Sequence, residues 1–163
     1  MNKIILLRHG ETRDTVLNII SGHRDVPLTE HGLFQAYNVS QQLIKFGIKN
    51  IVSSDLIRAK RTAEIVAESI GLLPLKIDTR FRERKWGDLE GSFKYCGCSP
   101  EDLEKPIGGE SLIEFQTRVL TAFEELQNLT LVVTHAGPIR CILNANSFPK
   151  VTLNPCEYIC IEK

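Results

Sequence analysis

The amino-acid sequence predicts a three-layer α/β/α sandwich with a mostly parallel central sheet. Apolar, strand-forming segments alternate with amphipathic helical segments along the 163 residues, and this alternation is typical of a parallel sheet covered by helices on both faces. Two of the apolar segments, Ile4–Leu7 and Leu129–Thr134, each run into a histidine within two residues. The length suits one domain, residues 1–163, with a sizeable core.

The individual elements follow from periodicity and from residues that start or stop a helix. The strand-forming segments are Ile4–Leu7, Asn50–Ser53, Pro74–Ile77, Leu129–Thr134 and Glu157–Ile161. The helical segments are Glu30–Phe46, Arg58–Ile70, Glu110–Leu126 and Pro138–Leu143. Thr29 is a candidate N-cap, and Gly47 and Gly71 are candidate helix ends. The charged segment Phe81–Ser92 is predicted to be irregular.

Composition narrows the possible partners. The 20 Lys and Arg residues balance the 20 Asp and Glu residues. This balance argues against nucleic acid as a binding partner. No apolar run approaches the roughly 18 residues that a membrane span needs, and Ile4–Leu7 is too short for a signal-peptide core. We therefore expect a cytoplasmic protein without a membrane partner. We expect a monomer or a homodimer, because Glu157–Ile161 could pair with a second copy at a sheet edge.

The five cysteines form no recognisable disulfide or metal pattern. Cys96 and Cys98 are spaced like half of a zinc site, but no Cys or His pair at matching spacing accompanies them. We expect reduced thiols, no bound metal and no cofactor.

Arg8 and His9 follow the first apolar segment, at the sheet edge where open α/β folds bind ligands. A guanidinium matches phosphate oxygens in a bidentate manner. A neighbouring imidazole can attack phosphorus and carry the phosphoryl group covalently. Taken alone, the pair also fits an ordinary strand end with a solvated arginine.

A second histidine, His135, ends the strand-forming segment Leu129–Thr134 and precedes Ala136 and Gly137. Alone it would be interpreted as a strand-end histidine with satisfied hydrogen bonds. Together with His9, it predicts two imidazoles side by side at one sheet edge. Small residues after each histidine let backbone N–H groups approach an anion.

Two further segments add charge. In Ser53–Glu64, Asp55 is a candidate N-cap and Arg58 falls in the first helical turn, where the helix dipole disfavours a cation. A bound anion would account for Arg58, whereas a solvated helix face is the alternative, as for Lys60 and Arg61.

In Phe81–Gly91 a partly desolvated carboxyl could act as a general acid. The local pattern leaves the choice among Glu83, Asp88 and Glu90 open, and ordinary surface charge is the alternative. Trp86 is interpreted as packing or as pocket wall.

The combined motifs resemble the histidine phosphatase superfamily, which includes the cofactor-dependent phosphoglycerate mutases. Six blocks occur in the family's order and span nearly the whole chain: Leu7–Thr12, Asp25–Gly32, Ser53–Glu64, Arg82–Gly91, Gly108–Ser111 and Thr134–Gly137.

The resemblance implies roles for the candidate residues. His9 is the nucleophile that becomes phosphohistidine, and Arg8 and Arg58 clamp the phosphoryl oxygens. Glu83 protonates the leaving alkoxide and then activates water. The transferring group is further stabilised by His135 and by the backbone N–H of Ala136. The arginines and the second histidine would do what metal ions do elsewhere, so no metal is expected.

The chain departs from the family at the rim of the site. Many members carry Asn where this chain has Thr15, Arg where it has Ile19, and Gln where it has Ser21; the candidate rim residues are Thr15, Ser21 and Gly22. His23 and His31 match no catalytic position and are interpreted as surface residues.

A phosphatase for small phosphomonoesters is the first functional hypothesis. The segment Phe93–Ile107 is shorter than the covering insertion of larger mutases, and an open pocket favours hydrolysis over transfer. The Trp86–Gly91 block also resembles the small-molecule branch that includes α-ribazole phosphatases. The alternatives are a phosphoglycerate mutase, a phosphoprotein (phosphohistidine) phosphatase and a non-catalytic phosphate-binding module.

Overall fold

The computed structural model describes residues 2–93, 104–149 and 151–163. Its strands are β1 (Lys3–Arg8), β2 (Asn50–Ser53), β3 (Lys76–Ile77), β4 (Thr130–Thr134) and β5 (Tyr158–Glu162). Its α-helices are α1 (Arg13–Val16), α2 (Glu30–Leu43), α3 (Ile57–Ile70), α4 (Leu112–Glu124) and α5 (Ala136–Ala145). Short 3-10 turns cover Ile44–Phe46, Thr79–Phe81 and Gly87–Leu89.

The five strands form one sheet in the order β3-β2-β4-β1-β5. The pairs β1–β4, β2–β4 and β2–β3 are parallel, and only β5 runs antiparallel, against β1. The predicted mostly parallel sheet is confirmed, and the last strand lies at an edge. Because β1 and β4 are adjacent and parallel, their carboxyl ends meet at the same place.

Both faces of the sheet are buried, as the sandwich prediction requires. One core cluster joins alternate strand residues such as Ile4, Leu6 and Val132 to apolar residues of α4 and α5. The other joins Ile5 and Leu7 to α2 and α3. Since successive strand residues point to opposite faces, this alternation puts helices on both sides of the sheet.

The signals for helix ends are confirmed at three positions. The Thr29 side chain accepts a hydrogen bond from the Gly32 N–H at the start of α2. Gly47 and Gly71 adopt left-handed backbone conformations, with φ of 60° and 70°, after the helices that they end. The predicted helix Glu110–Leu126 begins later, at Leu112, because Ser111 forms a capping box with Glu114. Helix α1 is too short for periodicity to reveal.

The predicted N-cap at Asp55 is wrong. The Asp55 carboxylate instead pairs with the Arg82 guanidinium through contacts of 2.7 and 2.5 Å. The first N–H of α3, on Ile57, donates to Asp25 Oδ1 at 2.7 Å. A carboxylate distant in sequence therefore caps α3, and Asp55 is left to hold the segment that contains Glu83.

Within the described residues, no helix is both long enough and apolar enough to cross a membrane. The zinc interpretation of Cys96 and Cys98 and most of the segment between Phe93 and Ile107 lie outside the described residues.

Candidate active site

Two imidazoles meet where β1 and β4 end. Arg8 is in register with Thr134 across the parallel pair, so His9 and His135, the next residues of each chain segment, are neighbours. Their ring centroids are 5.1 Å apart with the planes at 60°. Both rings are buried, His9 being 5% exposed and His135 fully covered. The predicted juxtaposition is present.

The backbone around His9 fixes which ring nitrogen carries the proton. His9 Nδ1 lies 2.7 Å from the Gly10 carbonyl oxygen, and because a carbonyl can only accept, Nδ1 must be the protonated nitrogen. Neutral His9 therefore carries its lone pair on Nε2. Gly10 has to be glycine, since a Cβ there would lie 2.6 Å from the Gly32 carbonyl oxygen.

The other imidazole contacts a serine hydroxyl. His135 Nε2 lies 2.9 Å from Ser54 Oγ, and that hydroxyl also accepts the Leu56 N–H at 3.3 Å. His135 Nδ1 is buried without a hydrogen-bond partner among the described residues. Burial lowers the pKa of His135 well below its ordinary value, and the nearby cations Arg58 and Arg8 lower it further. The ring is therefore neutral near pH 7.

Arg58 is the most deeply buried cation of the site, only 1% exposed. It lies in the first turn of α3, and its two terminal nitrogens donate to the carbonyls of Gly22 and Arg24, each at 2.8 Å. Burial lowers its pKa, against the attraction of Glu83. Arg61, one turn further along, is exposed and pairs with Glu64. Only Arg58 of these two arginines belongs to the site.

Residues in the C-terminal part of the chain form hydrogen bonds with Arg8 and His9. Arg8 Nη1 donates to the Leu153 carbonyl at 2.6 Å. The Cys156 N–H lies 3.1 Å from the Arg8 carbonyl and 3.2 Å from that of His9. Burial lowers the pKa of Arg8 as well. Within the described residues neither Arg8 nor Arg58 has a carboxylate at salt-bridge distance, so two positive charges are available to an anion.

The contacts of the acidic residues distinguish Glu83 from its neighbours. Glu83 Oε2 accepts the Gly137 N–H at 3.1 Å, beside His135, and Oε1 accepts the Arg84 N–H at 2.9 Å. The Glu90 carboxylate instead bonds the backbone N–H groups of His23 and Trp86. Of these two carboxylates, Glu83 is the one bonded next to His135.

Ala136 is the first residue of α5, with His135 at the N-cap position. Backbone N–H groups in a first helical turn have no partner within the helix. The N–H of Ala136 therefore has no partner within α5 and lies one residue after His135, and its contact with a phosphate stays a prediction.

The rim residues make local bonds. The Thr15 hydroxyl accepts the Thr12 N–H at 2.9 Å as part of a capping box and also donates to the Thr12 carbonyl at 2.7 Å. Ser21 Oγ donates to Asp14 Oδ2 at 3.0 Å. Gly22 supports Arg58 through its carbonyl and has φ of 51°, with Glu90 occupying the space of a side chain. Of the three, only Gly22 is hydrogen-bonded to a candidate site residue among the described residues, through its carbonyl and Arg58.

Two supporting residues were missed by sequence reasoning. His23 was expected at the surface, but it is half-buried and its Nε2 donates to the Glu83 carbonyl at 2.8 Å. Arg118 Nη2 donates to the same carbonyl at 2.9 Å. No local signal in the sequence links either residue to Glu83, because both bonds join distant segments. Trp86 is packing, covered by the Arg84 guanidinium at 4.6 Å.

The described residues contain no group of three His, Cys, Asp or Glu side chains placed to hold a metal ion.

Comparison with known proteins points to one family. Residues 4–150 match the family model described as the histidine phosphatase superfamily, branch 1. Phosphoglycerate mutase-like protein 4 of Arabidopsis thaliana is 35% identical, over 86% of this chain and 69% of that protein. The probable phosphoglycerate mutase GpmB of Salmonella paratyphi A is 34% identical, over 88% and 74%.

A solved structure gives the same result for the fold. The mycobacterial glucosyl-3-phosphoglycerate phosphatase in complex with VO3 superimposes with a TM-score of 0.87 and 27% sequence identity. The match covers 99% of this chain and 93% of that one.

Proposed function

This chain belongs to the histidine phosphatase superfamily, and we propose that it hydrolyses small phosphomonoesters through a phosphohistidine on His9, without a metal ion. One observation carries the proposal. The three buried side-chain nitrogens without a hydrogen-bond partner in the described residues are Arg8 Nε, Arg58 Nε and His135 Nδ1. Buried polar groups are normally paired, and three donors around one pocket suit the oxygens of a phosphoryl group.

In the first step, the lone pair on His9 Nε2 attacks phosphorus and a nitrogen–phosphorus bond forms. The ester oxygen departs with the bonding electrons and takes a proton from Glu83. Arg8 and Arg58 stabilise the negative charge on the phosphoryl oxygens, which is the main task of a protein in this reaction.

In the second step, a water molecule attacks the phosphohistidine. The Glu83 carboxylate takes a proton from this water as the new oxygen–phosphorus bond forms. The nitrogen–phosphorus bond breaks, the electrons return to His9 Nε2, and inorganic phosphate leaves. Each group is restored to its starting state.

The Ser54 hydroxyl favours a donor role for His135. Ser54 Oγ accepts the Leu56 N–H. For the proton of the Ser54 hydroxyl, the acceptor within the described part of the chain is His135 Nε2. If Nε2 accepts, the ring proton is on Nδ1, so Nδ1–H can donate to a phosphoryl oxygen.

A phosphatase enzyme is supported by the family match and by the phosphatase among the structural neighbours. The rim supports hydrolysis of a small ester. Where many family members carry Asn and Gln, the hydroxyls of Thr15 and Ser21 are bonded to Thr12 and Asp14. Recognition then rests on the phosphoryl group itself more than on the rest of the substrate.

Phosphoglycerate mutase activity is the second candidate, because the curated relatives described above carry mutase names. A mutase would use the same first step and return the phosphoryl group to a second oxygen. Isomerised phosphoglycerate as product, with stimulation by bisphosphoglycerate, would favour it over hydrolysis.

The proposal is tested by measuring inorganic phosphate released from a panel of small phosphomonoesters, with and without a chelator. We expect release that survives the chelator and falls by about 10⁴-fold or more in His9→Ala. Loss of activity with chelator would contradict the metal-independent route. Release only from a phosphoprotein, or binding without turnover, would favour the remaining hypotheses. A cytoplasmic location and a monomeric or homodimeric state remain predictions.

A further inference from the structure

The carboxylate of Glu83 lies against the start of α5. Its Oε2 accepts the N–H of Gly137 at 3.1 Å, and Gly137 is only two residues after His135. This contact links the proposed acid to the strand end that presents the second imidazole.

Gly137 leaves no room for a side chain. A Cβ built on it would lie 2.0 Å from Glu83 Oε1 and 3.0 Å from Glu83 Cδ, far closer than atoms can approach. The backbone of Gly137 is not in the left-handed region, so any L-residue could adopt its conformation. Glycine is also less favourable than alanine in a helix. Among the described residues, the three atoms nearest to that Cβ all belong to the Glu83 side chain.

Hydrogen bonds also hold the main chain of Glu83. Its carbonyl accepts hydrogen bonds from His23 Nε2 and Arg118 Nη2, and Oε1 accepts the Arg84 N–H. Because the backbone is tied down, a Cβ on residue 137 would displace the carboxylate by side-chain rotation. The fold would survive, whereas the position of the acid would not.

We propose that Gly137 is a positioning residue for Glu83. Its N–H orients the carboxylate, and its missing side chain provides the space in which the carboxylate faces the leaving group. This inference rests on the proposed function, in which Glu83 is the general acid.

The test is Gly137→Ala, with the rate of leaving-group release measured in a single turnover. An alkyl phosphate has a poor leaving group and needs the acid, whereas p-nitrophenyl phosphate needs it little. We expect a loss of about 10²-fold or more for the alkyl phosphate and less than about 10-fold for p-nitrophenyl phosphate. Asn144→Ala, on the exposed part of α5, is the control and should leave both rates unchanged. Equal losses for the two substrates would contradict the inference.

A double variant shows whether the effect passes through Glu83. In the Glu83→Gln background, Gly137→Ala should cause no further loss with the alkyl phosphate, because the acid is already absent. A full additional loss would show that Gly137 acts by another route. If Glu83→Gln itself slows both substrates equally, the acid assignment in the proposed function fails instead.

Thermal unfolding provides a readout that does not depend on activity. In the Glu83→Ala background the clash is absent, so Gly137→Ala should raise the unfolding midpoint, as alanine favours the helix. With Glu83 present, the same substitution should raise it less or lower it. Equal changes in the two backgrounds would overturn the proposal even if the single variant folds poorly.

Discussion

The hydroxyl of Ser54 lies 2.9 Å from Nε2 of His135, at the junction of β2 and α3. This contact joins a segment that contributes Arg58 to the strand end that contributes the second imidazole. In the proposed mechanism, the Ser54 hydroxyl favours the form of His135 that carries its ring proton on Nδ1.

Replacement of Ser54 by alanine should weaken transition-state stabilisation. Without the hydroxyl, His135 Nδ1 no longer has to carry the ring proton, so one donor to the phosphoryl group is lost part of the time. We expect kcat to fall by about 10-fold, below the loss for removing such a donor outright, with little change in KM. Ser53→Ala removes an equally buried hydroxyl, which within the described residues bonds the Ser54 carbonyl alone, and this variant should not change kcat. A similar loss in both variants would contradict the account.

Stability should decrease as the pH falls below about 6.5, because the pKa of His135 and that of His23 are both lowered by burial. In that range the unfolded chain binds protons that the folded chain does not, so each group costs up to about 1.4 kcal/mol of unfolding free energy per pH unit. Above pH 6.5, the ordinary histidine value, neither histidine reduces the unfolding free energy in this way. Thermal or denaturant unfolding between pH 7.5 and 5 measures the slope.

The variant His135→Asn separates the two histidines in that measurement. It should flatten the slope between pH 6.5 and 5 without abolishing it, since His23 remains. The carboxylates of Asp55 and Asp78 have pKa values lowered mainly by hydrogen bonds from Arg82 and Arg80, and their contribution is lost only at more acidic pH. An unchanged slope in His135→Asn would contradict the burial of a neutral imidazole.

Arg58→Lys should reduce kcat/KM by about 10²-fold or more. A lysine lacks the planar fork by which the two terminal nitrogens of Arg58 bond the carbonyls of Gly22 and Arg24 while Nε stays available to a phosphoryl oxygen. Arg61→Lys is a matched control on the same helix, where an exposed pair with Glu64 should matter by less than about twofold. Steady-state kinetics with one good substrate suffice. Comparable effects of the two substitutions would remove Arg58 from the site.

Arg118 should contribute strongly to stability although it lies on α4. Its guanidinium donates to the carbonyls of Arg80, Arg82 and Glu83 and pairs with Glu110 at 2.5 Å. Arg118→Lys breaks the fork-shaped contacts and should lower the unfolding free energy by about 1–3 kcal/mol. Arg80 pairs with Asp78 and Glu125 near the surface. We therefore expect Arg80→Lys to lower the unfolding free energy by less than about 1 kcal/mol. Denaturant unfolding of both variants decides the order.

Local signals in the sequence were enough to predict the mostly parallel sheet and the two histidines at the centre of the candidate site. The apolar runs Ile4–Leu7 and Leu129–Thr134 belong to adjacent parallel strands, so the histidine after each run had to lie near the other. Thr29 and Gly47 mark helix ends by their own side-chain and backbone chemistry, which acts within a few residues and is readable from sequence.

The remaining contacts depend on segments that approach only in the folded chain. The carboxylate that caps α3 belongs to Asp25, 32 residues before Ile57, and therefore the adjacent Asp55 was a wrong choice. His23 is 60 residues from the Glu83 carbonyl that it bonds, so its position in the sequence suggests a surface residue. Nothing in a single sequence specifies such pairings, because each side chain is chemically capable of many partners.

Rapid-quench trapping of the phosphoenzyme tests the central claim most directly. The purified protein is mixed with its best phosphomonoester from the panel, denatured at alkaline pH and digested, and the modified peptide is identified by mass spectrometry. We predict one phosphoryl group on the peptide that contains His9, labile in acid and absent in His9→Ala. Turnover in which the phosphoryl group is found on another residue, or which persists by the same route in His9→Ala, would contradict the account.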